Sequence, residues 1–426
     1  MIQADLIIEG AAELLTVRGN SSRPRRGEEM RDLGIIRQGA LAARRGKIVW
    51  VGPTTELLNA VRPMAFSKLI DAYGKTVMPG FVDPHTHLVF AGSRENEFAM
   101  RIQGMTYQEI AAAGGGINAT VAATRKASKQ ELKIRARKSL NRMLSLGTTT
   151  VEAKSGYGLE LETELKMLEV IHELNEEGPM TVIPTFMGAH EIPPEFRQTP
   201  EAYVDLVVNR MIPEVAERKL ARFCDVFCEA GVFSVEQSER ILRAAKGVGL
   251  EPRVHADELT DLGGTAMAAR IQARTADHLL FASDEGIRQL AEAGVIAVLL
   301  PGTAYFLHLQ RYARARDMIA AGVSVALATD FNPGSCMTES MPLILTMACT
   351  QMRMLPAEAI TAATINAAWA IGEEDCVGSL EIGKQADILV LDAPSHEHLC
   401  YHFGVNLVET VIKNGKIVVE AGQRVR

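Results

Sequence analysis

A chain of 426 residues, 47% of them hydrophobic and 23% charged, has the bulk for a large core and the polarity of an ordinary globular protein. Its 45 basic and 52 acidic residues give a net charge of −7, which excludes the basic footprint of a nucleic-acid binder. No apolar run approaches membrane-spanning length, and no basic patch precedes an apolar core at the amino terminus; no membrane partner and a cytoplasmic location are the expectations.

Residues 1–75 carry the β-rich runs ADLIIEG, ALAARRGKIVWVG and SKLIDAYG, with the polar, aperiodic loop NSSRPRRGEEMRDLG between the first two. Residues 376–426 repeat that texture in GSLEIGKQADILVLD and ETVIKNGKIVVEAG, where Asn414-Gly415 signals a hairpin turn. The two ends are expected to meet in one small β-sandwich domain.

Between them, residues 76–375 alternate strand-like and helical stretches. The strand candidates are TVMPGFVDPH, TTTVEAK, TVIPTFMG, RFCDVFCEA, PRVHAD, TADHLL, VIAVLLP and SVALATD. Amphipathic segments such as ELKIRARKSLNRMLSLG and ETELKMLEVIHELNEEG lie between them. Eight such units in about 300 residues define an α/β fold, a (β/α)₈ TIM-like barrel. A doubly wound open sheet fits less well, because no Gly-rich turn follows the first strand. The six cysteines are too scattered for a disulfide framework; Cys224 and Cys228 read as buried thiols on one strand face.

A barrel of this kind gathers reactive side chains at the carboxyl ends of its strands. His85 and His87, in KTVMPGFVDPHTHL, end the first strand two residues apart, so their imidazoles share a face. Lys154 and Tyr157 follow the second, His190 the third, His255 and Glu258 the fifth, His278 the sixth and Asp330 the eighth. His85, His87, His255 and Asp330 together make a mixed imidazole–carboxylate set suited to one catalytic metal ion with an open position for water. Glu258, His278 and Asp330 are the titratable candidates for moving protons beside it.

The entry PGFVDPHTH, the fifth- and sixth-strand histidines and the eighth-strand aspartate resemble the amidohydrolase superfamily of metal-dependent barrels, over nearly the whole chain. Within it, HTHLVFAGSRENEF, EAKSGYGL, GAHEIP, VHADE and TDFNPGS resemble the family of imidazolonepropionases. That resemblance implies one Zn²⁺ or Fe³⁺ held by His85, His87, His255 and Asp330. It also implies hydrolysis of the cyclic amide of 4-imidazolone-5-propanoate to N-formimidoyl-L-glutamate, a step of histidine degradation. Arg94, Tyr157 and His190 resemble residues that hold the substrate, and Asn332, Gly334 and Ser335 residues that hold the product. Glu258 and His278 resemble groups that orient the ring or water and polarise the carbonyl. A homodimer is implied as well.

The substrate's propionate tail calls for a fixed cation, and Arg94 offers a bidentate fork; an ion pair with Glu95 or Glu97 is the competing use. Tyr157 sits between glycines that permit close backbone approach. Lys154 lies on the second strand, the wrong place for a carboxylated lysine bridging two metals, so one metal is expected. Another cyclic-amide hydrolase, an aminohydrolase releasing ammonia, and a non-catalytic metal-binding barrel are the rival readings.

Overall fold

The computed structural model describes residues 1–19, 22–105, 109 and 114–425. All of the candidate site residues fall among these, whereas Asn20 and Ser21, which open the polar loop, lie outside the described residues. The rest of that loop includes a short 3₁₀ turn, Gly27–Arg31, that buries Met30.

The two ends of the chain meet in one mixed sheet of nine strands. It contains β1 (Ile2–Leu15), β2 (Ile35–Arg44), β3 (Lys47–Pro53), β4 (Val61–Asp71) and β5 (Thr76–Pro79). The carboxyl-terminal portion adds β14 (Ile388–Leu391), β15 (Val408–Lys413), β16 (Lys416–Glu420) and β17 (Gln423–Arg424). The run ALAARRGKIVWVG folds as a hairpin rather than one strand, turning through Arg45 and Gly46, both at positive φ. Asn414 and Gly415 turn in the same way, as the NG dipeptide requires. Leu6, Ile8, Leu41, Val77, Ile388 and Ile412 share an apolar cluster in this sheet, joining side chains from both ends of the sequence.

The second sheet holds eight parallel strands whose order follows the chain. They are β6 (Phe81–Asp83), β7 (Thr148–Lys154), β8 (Thr181–Ala189), β9 (Phe223–Cys228), β10 (Glu251–Ala256), β11 (Thr275–His278), β12 (Ile296–Leu299) and β13 (Val325–Leu327). Each coincides with one of the eight strand candidates. Amphipathic helices wrap the outside; Lys129–Ser145 starts on a Ser128–Glu131 capping box and buries Leu132, Ala136, Leu140, Met143 and Leu144.

One expected strand is in fact two. TVMPGFVDPH breaks at Gly80: Thr76–Pro79 pairs with β1 and β14 in the terminal sheet, and only Phe81–Asp83 pairs in the barrel. Gly80 itself hydrogen-bonds to the Asp387 carbonyl, on the approach to β14.

The period of two sorts the barrel strands into faces. On β9 and β10, Cys224, Val226, Val254 and Ala256 join the apolar cluster under the helices, and Asp225, Arg253 and His255 alternate with them, equally buried. Both cysteines of the fourth strand are therefore core thiols, as expected.

The ladder does not run directly between β6 and β13. Closure comes just past their ends: the Asp330 N–H donates to the His85 carbonyl (3.1 Å) and the His87 N–H to the Phe331 carbonyl (2.9 Å). Thr329 adds its N–H (3.1 Å) and hydroxyl (2.5 Å) to the carboxylate of Asp83. The seam that shuts the barrel thus also brings His85 and His87 against Asp330.

Candidate active site

Three imidazoles and a carboxylate converge at that seam, all fully or almost fully buried. The ligand atoms of His85, His87 and His255 lie within 4.8 Å of one another, and so do those of His85, His278 and Asp330. His85 Nδ1 stands 2.6 Å from Asp277 Oδ2, and His255 Nδ1 stands 3.0 Å from Asp225 Oδ1. An ionised carboxylate only accepts, so each Nδ1 carries the proton and each Nε2 presents a lone pair to the interior.

The arrangement fits a metal ion. His85 Nε2 and Asp330 Oδ1 are buried without a hydrogen-bond partner, and they face each other across 3.5 Å. Asp330 Oδ1 is also 3.6 Å from His87 Nε2. His87 Nε2 and His255 Nε2 are 3.4 Å apart, and two nitrogens bound at ~2.0–2.1 Å to one tetrahedral ion stand ~3.3–3.4 Å apart. Buried acceptors pointed at one another across such a gap need a cation between them. Burial, helped for His85 by the nearby charge of Lys154, holds both imidazoles well below the usual histidine range, and so neutral as ligands must be.

Asp330 is fixed through its other oxygen, which accepts from the Thr303 hydroxyl. Burial lifts its carboxyl to about 6, against the hydrogen bond from Thr303. Glu258 is pushed well above the carboxylate range by burial, then by the charges of Asp330 and Glu229. His278 Nδ1 lies 3.6 Å from Glu258 Oε1, and burial holds this imidazole neutral too. Asp257 and Asp330, on the loops leaving β10 and β13, and His278, the last residue of β11, have left-handed φ values of 48°, 52° and 75°. Such strain persists only where the surroundings over-determine the backbone.

His190 stacks on His87 with ring centroids 4.8 Å apart and also neighbours Tyr157 at 5.2 Å. Burial and His255 drive its imidazole down to about 3. Arg94 does pair with Glu97, at 2.8 and 3.0 Å. Its side chain is nevertheless only 12% exposed, and its guanidinium lies against Gly334. The structure therefore brings the metal-type cluster, Glu258, His278, His190 and Tyr157 together, with Arg94 and Gly334 beside one another. The Asn332 amide is engaged within its own loop, Oδ1 accepting from the N–H groups of Gly334 (2.8 Å) and Ser335 (2.7 Å), and Nδ2 donating to the Asp330 carbonyl. It shapes the turn after β13 as an Asx motif.

Behind this cluster stands a buried charge network that motif reading missed. Lys154 bridges Glu152 (2.9 Å) and Asp225 (2.8 Å), and Arg253 reaches Asp277 (3.1 Å). Burial pushes Asp225 up, but His255, Lys154 and Arg253 together hold it well below the carboxylate range. The available signal was charged residues inside apolar strands in phase with the histidines: Arg253 two before His255, Glu152 two before Lys154. Lys154 is engaged between two buried carboxylates, Glu152 and Asp225.

A model of the amidohydrolase family matches residues 76–418. The chain belongs to the amidohydrolase family. The imidazolonepropionase of Symbiobacterium thermophilum is 56% identical over 424 residues, covering 99% of each chain, and that of Geobacillus kaustophilus is 53% identical over 419 residues, covering 98% of this chain and 99% of the other. Within the family, the chain groups with the imidazolonepropionases. Among solved structures, an adenosine deaminase from Xanthomonas campestris with bound zinc superimposes with a TM-score of 0.73 at 18% identity, covering 100% of this chain and 95% of that one. A 5-methylcytosine deaminase from Klebsiella pneumoniae gives 0.73 at 18%, covering 99% of each; likeness at this level shows a common fold.

Proposed function

We propose that the chain hydrolyses the cyclic amide of 4-imidazolone-5-propanoate to N-formimidoyl-L-glutamate, with one Zn²⁺ or Fe³⁺ held by His85, His87, His255 and Asp330. The observation that carries this reading is identity above one half, along the full chain, to imidazolonepropionases. The barrel alone would serve deaminases equally well, as its distant structural relatives illustrate.

When bound, the ion supplies Lewis acidity, lowering the pKa of a coordinated water from about 16 toward ~7. The protein's own groups do the rest. Asp330, fixed through its other oxygen by the Thr303 hydroxyl, accepts the proton of the attacking water. His278 faces the developing charge on the ring carbonyl oxygen as a fixed neutral donor. Glu258, kept protonated by burial and by two neighbouring carboxylates, orients the ring and shares with Asp330 the return of a proton to the departing ring nitrogen. Water adds across the carbonyl carbon–nitrogen bond, and that bond breaks.

Arg94 binds the propionate carboxylate, which then competes with Glu97 for the guanidinium. Tyr157 and His190 flank the ring, and the Asn332–Ser335 turn, with Gly334 against Arg94, receives the product. Family resemblance supports a homodimer, which sedimentation checks.

The test is turnover of 4-imidazolone-5-propanoate by metal-loaded protein. Loss of ring absorbance with formation of formimidoylglutamate and no ammonia is expected, abolished by a chelator and restored by zinc or iron. Ammonia release, or full activity in metal-free protein, overturns the reading.

A further inference from the structure

Glu164 is a buried carboxylate, 0% exposed, in the first turns of the helix Leu161–Glu177, and no part of the chemistry above uses it. An acidic residue there ordinarily faces water beside the helix N-terminus. This one turns back onto the loop that follows β7. Its Oε1 accepts from the N–H groups of Gly158 (2.7 Å) and Leu159 (2.9 Å), and its Oε2 from that of Gly156 (3.0 Å). Both oxygens are thus spent on the turn whose centre is Tyr157.

The glycines flanking Tyr157 have a different use from the one their spacing suggested. A Cβ on Gly158 would come within 2.8 Å of Glu164 Oε1 and 2.7 Å of its backbone nitrogen. A Cβ on Gly156, at φ +110°, would come within 2.9 Å of His190 Nδ1. The two glycines make room for protein groups: one admits the glutamate, the other the imidazole. His190 Nδ1 lies 3.0 Å from the Gly156 carbonyl and donates to it, so this carbonyl fixes which ring nitrogen of His190 is protonated, and its peptide unit lies between the two that Glu164 holds through the N–H groups of Gly156 and Gly158. Nε2 is left as the acceptor.

We propose that Glu164 is a positioning residue for substrate binding, setting the orientation of Tyr157 and the tautomer and tilt of His190 through one carboxylate. The inference rests on the reading that Tyr157 and His190 hold the substrate. An amide at position 164 would turn N–H groups toward backbone donors, so Glu164→Gln breaks the grip while keeping shape and size.

The experiment is a kinetic cycle on the metal-loaded enzyme with Glu164→Gln, Tyr157→Phe, His190→Asn, and Glu164→Gln combined with each. Glu164→Gln should raise KM ~10-fold with kcat and metal content close to the parent's, as loss of uniform binding does. In the His190→Asn and Tyr157→Phe backgrounds the added KM effect should each time fall below the ~10-fold seen in the parent, since the share that runs through the removed side chain is already lost. A merely structural role would instead lower Tm, with KM unchanged or with the same loss in every background; either result overturns the proposal. Parental KM in both Tyr157→Phe and His190→Asn would instead sink the substrate-holding reading beneath it. Should Glu164→Gln not fold, Glu164→Asp, which keeps the charge but shortens the reach, must show the same KM-selective loss for the proposal to stand.

Discussion

The ammonium of Lys154 lies 2.8 Å from Asp225 Oδ2 inside the barrel, where neither side chain is exposed to solvent. Asp225 in turn accepts from His255 Nδ1, so the lysine charge stabilises the carboxylate that orients a metal-type histidine. Lys154→Met should cost ~3–5 kcal/mol of stability, because it strands Glu152 and Asp225 as buried uncompensated carboxylates. The purified variant should melt well below the parent and bind metal more weakly, yet still at one ion per chain. A fall from two ions to one, measured by elemental analysis, would show that the lysine had been a bridging ligand.

His278 stands beside the cluster with Nδ1 3.6 Å from Glu258. Replacing it by Asn should leave metal content intact while lowering kcat by ~10²–10⁴-fold, the range for a lost proton-transfer or oxyanion-stabilising group. Elemental analysis beside steady-state kinetics decides; parental turnover removes the residue from the mechanism.

Asp83 makes stability depend on pH. Burial lifts its carboxyl to about 7, against the hydrogen bonds from Thr329. The folded carboxyl keeps its proton to higher pH than the unfolded one, so its stabilising share is whole below ~pH 4 and is lost as pH rises through about 7. Metal-free protein should therefore lose melting temperature from about pH 5 to pH 8 relative to Asp83→Asn, which carries no such titration. Calorimetry of the two at matched salt tests this, and parallel curves would refute it.

The eight barrel strands were legible as apolar runs, and the ends where the chemistry sits because six of the eight are followed by an ionisable candidate; local pattern is enough to mark both. His85 and His87, His255 and Asp330 come from three loci, the ends of β6, β10 and β13, and their meeting follows from the barrel alone. Other features depend on tertiary contact. The Pro79-Gly80 dipeptide punctuates the first strand-like run, but nothing local says that its two halves join different sheets, because both are buried and both are β. Asp225, Asp277 and Arg253 look like errors in apolar strands until their partners are known, since a buried charge is tolerable only when paired. The glycines beside Tyr157 announced a close approach, but the sequence could not say that Glu164 and His190, rather than a ligand, do the approaching.

The crossing at Gly80 bears on how the molecule is built in time. β5 lies between β1 and β14, so the stretch leading to His85 and His87 receives its last neighbour only from residues 388–391. During synthesis the first two ligand histidines leave the ribosome more than 300 residues before that neighbour does, and Asp330 also comes late. A nascent chain must therefore hold two imidazoles in reserve for most of its emergence, and on the proposed ligand set the capture of the ion would be a closing event of biogenesis rather than a seed for it.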